Sequence, residues 1–229
     1  MASDFEGKVV LVTGGTRGIG KALAEKAQGM GASFRQTQVS AIIPDGKGGW
    51  ILQTNQGPLA AERLVVAAGA WSAQLLTPLG FKLPLEAERG YHLVFSSPGI
   101  TINNSIMDTE KKFVASSMLD GIRCAGTAEF AGLDAPPDYR RARIFKVLAK
   151  RLFPKINVDD ADEWMGTRPP LPDSLPCIGE VPGHTNLFVA FGHSHYGFGM
   201  APNTGYVVAD LVNGTVPGID LTPYRIDRF

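Results

Sequence analysis

Cysteine is nearly absent. The 229 residues hold only Cys124 and Cys177, with no C-x-x-C spacing, which leaves no zinc ribbon or dithiol redox pair and no metal site to expect. A reducing cytoplasm is the plain expectation. Charge of one sign is absent too, because 22 Lys and Arg balance 22 Asp and Glu; no net field favours nucleic acid or an anionic membrane, and a small neutral or zwitterionic ligand fits better. No apolar run reaches the roughly 18 to 20 residues that cross a bilayer, although peripheral membrane association stays compatible with the sequence. The opening residues carry Asp4 and Glu6 before the first apolar run, which glycines break after Thr13, so no signal peptide is expected. Repeats and low-complexity segments are also missing. What is present, 44% hydrophobic and 19% charged residues, describes a globular chain with one large core or two small ones.

Lys8–Val12 reads as a strand, the glycines at 14, 15, 18 and 20 as a turn, and Lys21–Gln28 as a helix. Phe34–Ile43 and Trp50–Thr54 flank the turn at 45–49 as a hairpin. The continuous apolar run Arg63–Ala68 suits a strand buried on both faces. Tyr91–Phe95, Phe113–Ser117 and Ile122–Gly126 alternate as in an antiparallel sheet. In Asp138–Leu152 the residues Ile144, Val147, Leu148 and Leu152 recur at helical spacing and should lie on that sheet. Arg168–Pro182 reads as a loop, Asn186–Ala190 as a strand and Ala201–Val212 as a helix. The expected fold is α/β, with a Rossmann-like nucleotide half (1–83 and 164–229) and an antiparallel-sheet substrate half (84–163).

The opening, Thr13-Gly14-Gly15-Thr16-Arg17-Gly18-Ile19-Gly20, is similar to the T-G-x-x-x-G-x-G turn of short-chain dehydrogenases. Glycines there let the backbone approach a pyrophosphate at a helix N-terminus, and a ligand-free tight turn is the alternative. The rest of that family's chemistry is missing. Its Tyr-x-x-x-Lys pair needs a lysine four positions after a tyrosine, but Tyr91, Tyr139, Tyr196, Tyr206 and Tyr224 are followed there by Phe95, Arg143, Met200, Asp210 and Arg228.

From about Gly29 to the end the chain resembles another family, the D-amino-acid oxidase and dehydrogenase superfamily of FAD-dependent oxidoreductases. The resemblance rests on Arg63–Ser72, Arg89–His92, Gly126–Phe130, Trp164–Pro169, Pro172–Pro176 and the glycine-rich stretch from Gly192 to Gly205. It implies FAD as cofactor, with NAD(P) at the Gly14–Gly20 turn as a weaker alternative, and oxidative deamination of a D-amino acid or glycine-like amine by hydride transfer to the flavin. The electron acceptor is oxygen or another molecule. Arg168, at the family's Gly-x-Arg-Pro position, is the implied carboxylate holder, since a guanidinium gives two parallel charge-assisted bonds; a surface pair with Asp162 or Glu163 is the other reading. His195 stands where relatives place a second carboxylate-binding residue, or caps the local backbone. Tyr91, with His92, is expected either at the pocket or in ordinary packing. Val39, Gly69 and Trp71 would contact the dinucleotide, and Gly192, His193, Gly197 and Gly199 would present backbone amides to the flavin.

The chain departs from the pattern where a dinucleotide fold places an acidic residue, about 20 residues beyond its glycines. Ser33–Val39 contains no Asp or Glu, and much of the family's middle is missing. A short-chain-dehydrogenase opening joined to the latter half of a flavoenzyme would read this way. Two alternatives therefore accompany the oxidoreductase: a chimeric or truncated scaffold without turnover, and an NAD(P)-binding protein.

Overall fold

The computed structural model describes strand Val9–Val10 and residues 25–229, so Gly14, Gly15, Gly18 and Gly20 lie outside the described residues. The chain divides into two compact units: Met1–Leu85 with Pro169–Phe229, and Glu86–Arg168.

In the first unit, β1 (Val9–Val10), β5 (Leu64–Val66) and β12 (Leu187–Phe191) run parallel, and β11 (Cys177–Glu180) joins antiparallel, giving the order β1-β5-β12-β11. All three residues of β5 are buried, as a strand between two neighbours and two covered faces requires. A separate antiparallel sheet holds β2 (Val39–Pro44), β3 (Trp50–Thr54) and β4 (Leu59–Ala61). Its hairpin turn is tied by Asp45, whose Oδ1 accepts from the amides of Lys47 at 2.7 Å and Gly49 at 2.8 Å. Trp50, Leu52, Leu64, Val66, Leu76, Leu187 and Val189 are the centre of this unit's core. Short helix α1 (Ser72–Leu76) follows β5, and α2 (Arg140–Leu152) and α3 (Gly197–Asn213) come later in the chain.

The second unit is one antiparallel sheet in the order β10-β6-β9-β8-β7, from β6 (Glu88–Phe95), β7 (Ile106–Asp108), β8 (Phe113–Met118), β9 (Gly121–Phe130) and β10 (Ala161–Arg168). Helix α2 covers one face. It does so with Ala142, Phe145 and Ala149, all fully buried, and with Leu148 and Leu152 of the stripe expected from the sequence, while that stripe's Ile144 and Val147 are 47% and 52% exposed. Two alanines let the helix backbone approach the sheet, and Phe145 then fills the space against Phe113, 5.9 Å between ring centroids.

Three boundaries differ from the sequence expectation. Trp164–Arg168 pair with β6 and belong to the second unit, so the division falls after Arg168 and not at 163. The expected loop 168–182 contains β11, whose Cys177 and Ile178 enter the core despite the surrounding prolines. Helix α3 starts at Gly197, four residues early, and carries Pro202 inside it; past the first turn a proline removes one i→i−4 hydrogen bond and crowds the carbonyl four residues back, which hides the helix from a reading of the sequence.

Candidate functional site

Side-chain parity along β6 sorts this site. Tyr91, Leu93 and Phe95 enter the core under α2, so Glu88, Gly90, His92 and Val94 take the opposite face. The ladders on either side extend these positions into rows. Arg168, Glu88 and Phe130 form one row; Gly166, Gly90 and Ala128 the next; Trp164, His92 and Ala125 the third. A line of three small residues thus separates a charged row from an aromatic one.

The two glycines leave room for their larger neighbours. A Cβ at Gly90 would collide with the Arg168 guanidinium, and a Cβ at Gly166 with the indole of Trp164, so both long side chains lean over the small-residue row. The indole is stacked on His92 at 4.6 Å and 15° between planes. Arg168 Nη1 donates to Glu88 Oε1 at 2.7 Å, and the Arg168 side chain stays 34% exposed while Glu88 is 10% exposed. Burial, with Arg123 adding repulsion, pushes the His92 imidazole down to about 4, so near neutrality it is an uncharged ring.

Arg168 therefore has a different partner from those the sequence suggested. Glu163 has odd parity, faces the α2 side and pairs with Arg143 at 2.6 Å, while Asp162 accepts from Ser96 at 3.3 Å. Tyr91 takes the packing alternative and not the pocket one: it is 1% exposed in the core. Its hydroxyl donates to Glu129 Oε2 at 2.6 Å and accepts from the Asp138 amide at 3.0 Å and Arg89 Nη2 at 3.1 Å. It braces the α2 side of the sheet, opposite Arg168. Glu88, Gly90, Gly166 and the Trp164–His92 stack were missed as a group because only strand register brings them together; the alternation around Tyr91 was the signal that could have found the face.

In the first unit the parallel neighbours β5 and β12 both lead into glycines with positive φ, 56° at Gly69 and 86° at Gly192, at the strand ends where open α/β sheets take ligands. Trp71 is 46% exposed after Gly69, and the Ser72 hydroxyl is fully buried with no hydrogen-bond partner among the described residues. Val39 is half-buried on β2 against this unit's core. Past Gly192, His193 Nε2 lies 3.0 Å from Thr204 Oγ1, and burial pushes its pKa down. His195 is exposed. Helix α3 then begins with no side-chain cap, so amides of its first turn, including Gly197 and Gly199, are available to an acceptor.

The family model described as FAD dependent oxidoreductase matches residues 9–211. The chain belongs to this family. The match takes in the opening strand and the Gly14–Gly20 turn, so one family covers the opening together with the rest, and the short-chain-dehydrogenase resemblance read there from the sequence finds no support. The chain is 39% identical over 212 residues to a D-amino-acid oxidase of Bradyrhizobium diazoefficiens, covering 91% of this chain and 50% of that protein. It is 38% identical over 216 residues to a D-amino acid dehydrogenase of Paramagnetospirillum magneticum, covering 90% and 50%. The glycine oxidase structure from Geobacillus kaustophilus superposes with a TM-score of 0.80 at 29% identity, covering 92% of this chain and 57% of that one. The chain spans about half the length of the curated relatives it matches.

FAD is the cofactor of this family. The orphaned Ser72 hydroxyl, the positive-φ glycines after β5 and β12 and the uncapped start of α3 suit a phosphate-bearing, acceptor-rich ligand. The absence of an acid in Ser33–Val39 removes the usual bond to ribose hydroxyls. No helix among the described residues is long and apolar enough to cross a membrane.

Proposed function

We propose that this chain is an FAD-dependent oxidoreductase that deaminates a D-amino acid or a glycine-like amine. The observation that carries the reading is Arg168, half-buried, spread over Gly90 and two ladder rows from Trp164 on the face opposite α2. FAD, when bound, supplies the acceptor for the hydride leaving the substrate's α-carbon. Arg168 holds the carboxylate, and the stacked, uncharged His92 and Trp164 give the rest of the substrate an aromatic wall. In the first unit, Gly69, Trp71 and Val39 belong to the dinucleotide side, together with the Gly14–Gly20 turn. The amides around Gly192, His193, Gly197 and Gly199 favour negative charge on the flavin ring. His195 is a second candidate for contact with the carboxylate.

Purified protein mixed with FAD and freed of excess should retain flavin absorbance, and FAD at 100 times its dissociation constant should add about 2.7 kcal/mol to unfolding. A colourless protein with an unchanged unfolding curve overturns the reading. That result would favour a truncated scaffold without turnover, a reading supported by the half-length match and by the lack of an acid in Ser33–Val39. Saturable quenching by NADPH without FAD binding would instead favour the nicotinamide alternative.

A smaller change tests the shelf. Gly90→Ala puts a methyl group where the guanidinium lies, so kcat/KM for carboxylate substrates should fall by about 10²-fold with the flavin spectrum unchanged. Unaltered kinetics would remove Arg168's present position from the catalytic arrangement.

A further inference from the structure

The carboxylate holder has a carboxylate of its own. Glu88 stands directly across from Arg168 in the ladder, 2.7 Å from Nη1 and only 10% exposed, so the two form a locally neutral unit. A bare carboxylate approaching Arg168 meets the attraction of the guanidinium and, within the same contact, the repulsion of Glu88. An amino acid meets a different field, because its ammonium is one carbon away from its carboxylate. The opposed charges of the protein then match the opposed charges of the ligand. Nearby groups reinforce the pattern: the next row is Gly166, Gly90 and Ala128, and the third contributes the uncharged His92 and Trp164. Arg123 lies three rows from Glu88, alongside Val94, too far to replace Arg168 in a contact pair.

Building on the carboxylate role given to Arg168 above, we propose that Glu88 takes the substrate's amino group, making the Arg168–Glu88 pair a zwitterion clamp. The substrate class is then an α-amino acid with a free amine, in preference to a hydroxy acid or a simple carboxylate. Glu88 also holds the amine at a fixed angle to the carboxylate, which sets which α-carbon substituent is turned outward. Its role is that of a positioning residue.

The test uses two ligands that undergo no reaction at the α-carbon: 2-aminoisobutyrate, which lacks an α-hydrogen, and isobutyrate, which lacks the amine. Calorimetric titration of the full chain loaded with FAD should show the amino acid binding more tightly in the native protein. Glu88→Gln should shift the ratio of the two affinities toward isobutyrate by about tenfold or more, through weaker amino-acid binding and stronger carboxylate binding. Glu88→Asp keeps the carboxylate and should restore the native order, and circular dichroism establishes that each variant folds. Equal effects of Glu88→Gln on both ligands, with Arg168→Leu still abolishing both, would overturn the clamp and leave Arg168's role standing. Failure of either ligand to bind any variant in an Arg168-dependent way would instead overturn the reading of Arg168 itself.

Discussion

Arg168→Leu should lower kcat/KM for carboxylate substrates by on the order of 10²- to 10⁴-fold, leaving flavin absorbance intact. The size follows from removing two charge-assisted hydrogen bonds at about 1.5 to 3 kcal/mol each. The substitution also removes the 2.7 Å ion pair to Glu88, which is 10% exposed, so a loss of stability accompanies the loss of activity. Arg168→Lys separates the two effects. Lysine keeps a charge near Glu88 and should preserve most of the unfolding midpoint, but a point ammonium lacks the fork that grips both oxygens and should recover little of the rate. Steady-state kinetics with urea unfolding of both variants makes the comparison. Native turnover in the Leu variant removes Arg168 from carboxylate binding.

The sequence revealed much of the fold because its strongest signals are local. The hairpin around Asp45–Gly49 is written in turn chemistry and β-branched flanks, and it forms with Asp45 closing the turn. The run at Leu64–Val66 is apolar at every position, and it is fully buried. Errors arose where a tertiary neighbour decided the outcome. Helix α2 turns Ala142, Phe145 and Ala149 inward because alanine permits close approach to β6 and β9, which no periodicity of large residues announces. The stretch after Arg168 carries Pro169, Pro170, Pro172 and Pro176 and so reads as a loop, but Cys177–Glu180 gain a partner in β12 at the sheet edge.

Legibility of the site follows the same division. Arg168 stood out through its motif, whereas its working partner did not, because Glu88 is 80 residues away in sequence and meets it only through antiparallel register. Of the pairs suggested by proximity, Glu163 is turned to the other face by the alternation of β10, and Asp162, on the same face, lies six residues and about 20 Å back along the strand. Tyr91 shows the converse. Adjacent to His92 in a motif-bearing stretch, it is sent by the pleat to the opposite face, where its hydroxyl has three protein partners.

Those partners set the second large expectation: Glu129→Ala should destabilise the second unit by about 3 to 5 kcal/mol. Glu129 accepts from Tyr91, lies 3.3 Å from Arg89 Nε and bonds Arg141 Nε at 3.0 Å. Arg89 is 1% exposed, its Nη2 reaches the Pro136 carbonyl at 2.7 Å, and its Nη1 has no hydrogen-bond partner among the described residues. Without Glu129 the buried guanidinium keeps its charge and loses the carboxylate paired with it, which is the costly way to break such a pair. Replacing both residues, as Arg89→Met with Glu129→Leu, should recover much of the loss, because no buried charge remains. The same cluster gives a pH dependence. The Tyr91 hydrogen bond, assisted by the charges of Arg89 and Arg141 and opposed by burial, holds the Glu129 carboxyl below its ordinary range. Its stabilisation is thus complete above the unfolded carboxyl's pKa and disappears as pH falls through the lower folded value. Urea midpoints measured from neutral to acid pH should show this loss in the native chain and a smaller one in Glu129→Gln; identical profiles would exclude Glu129 as its source.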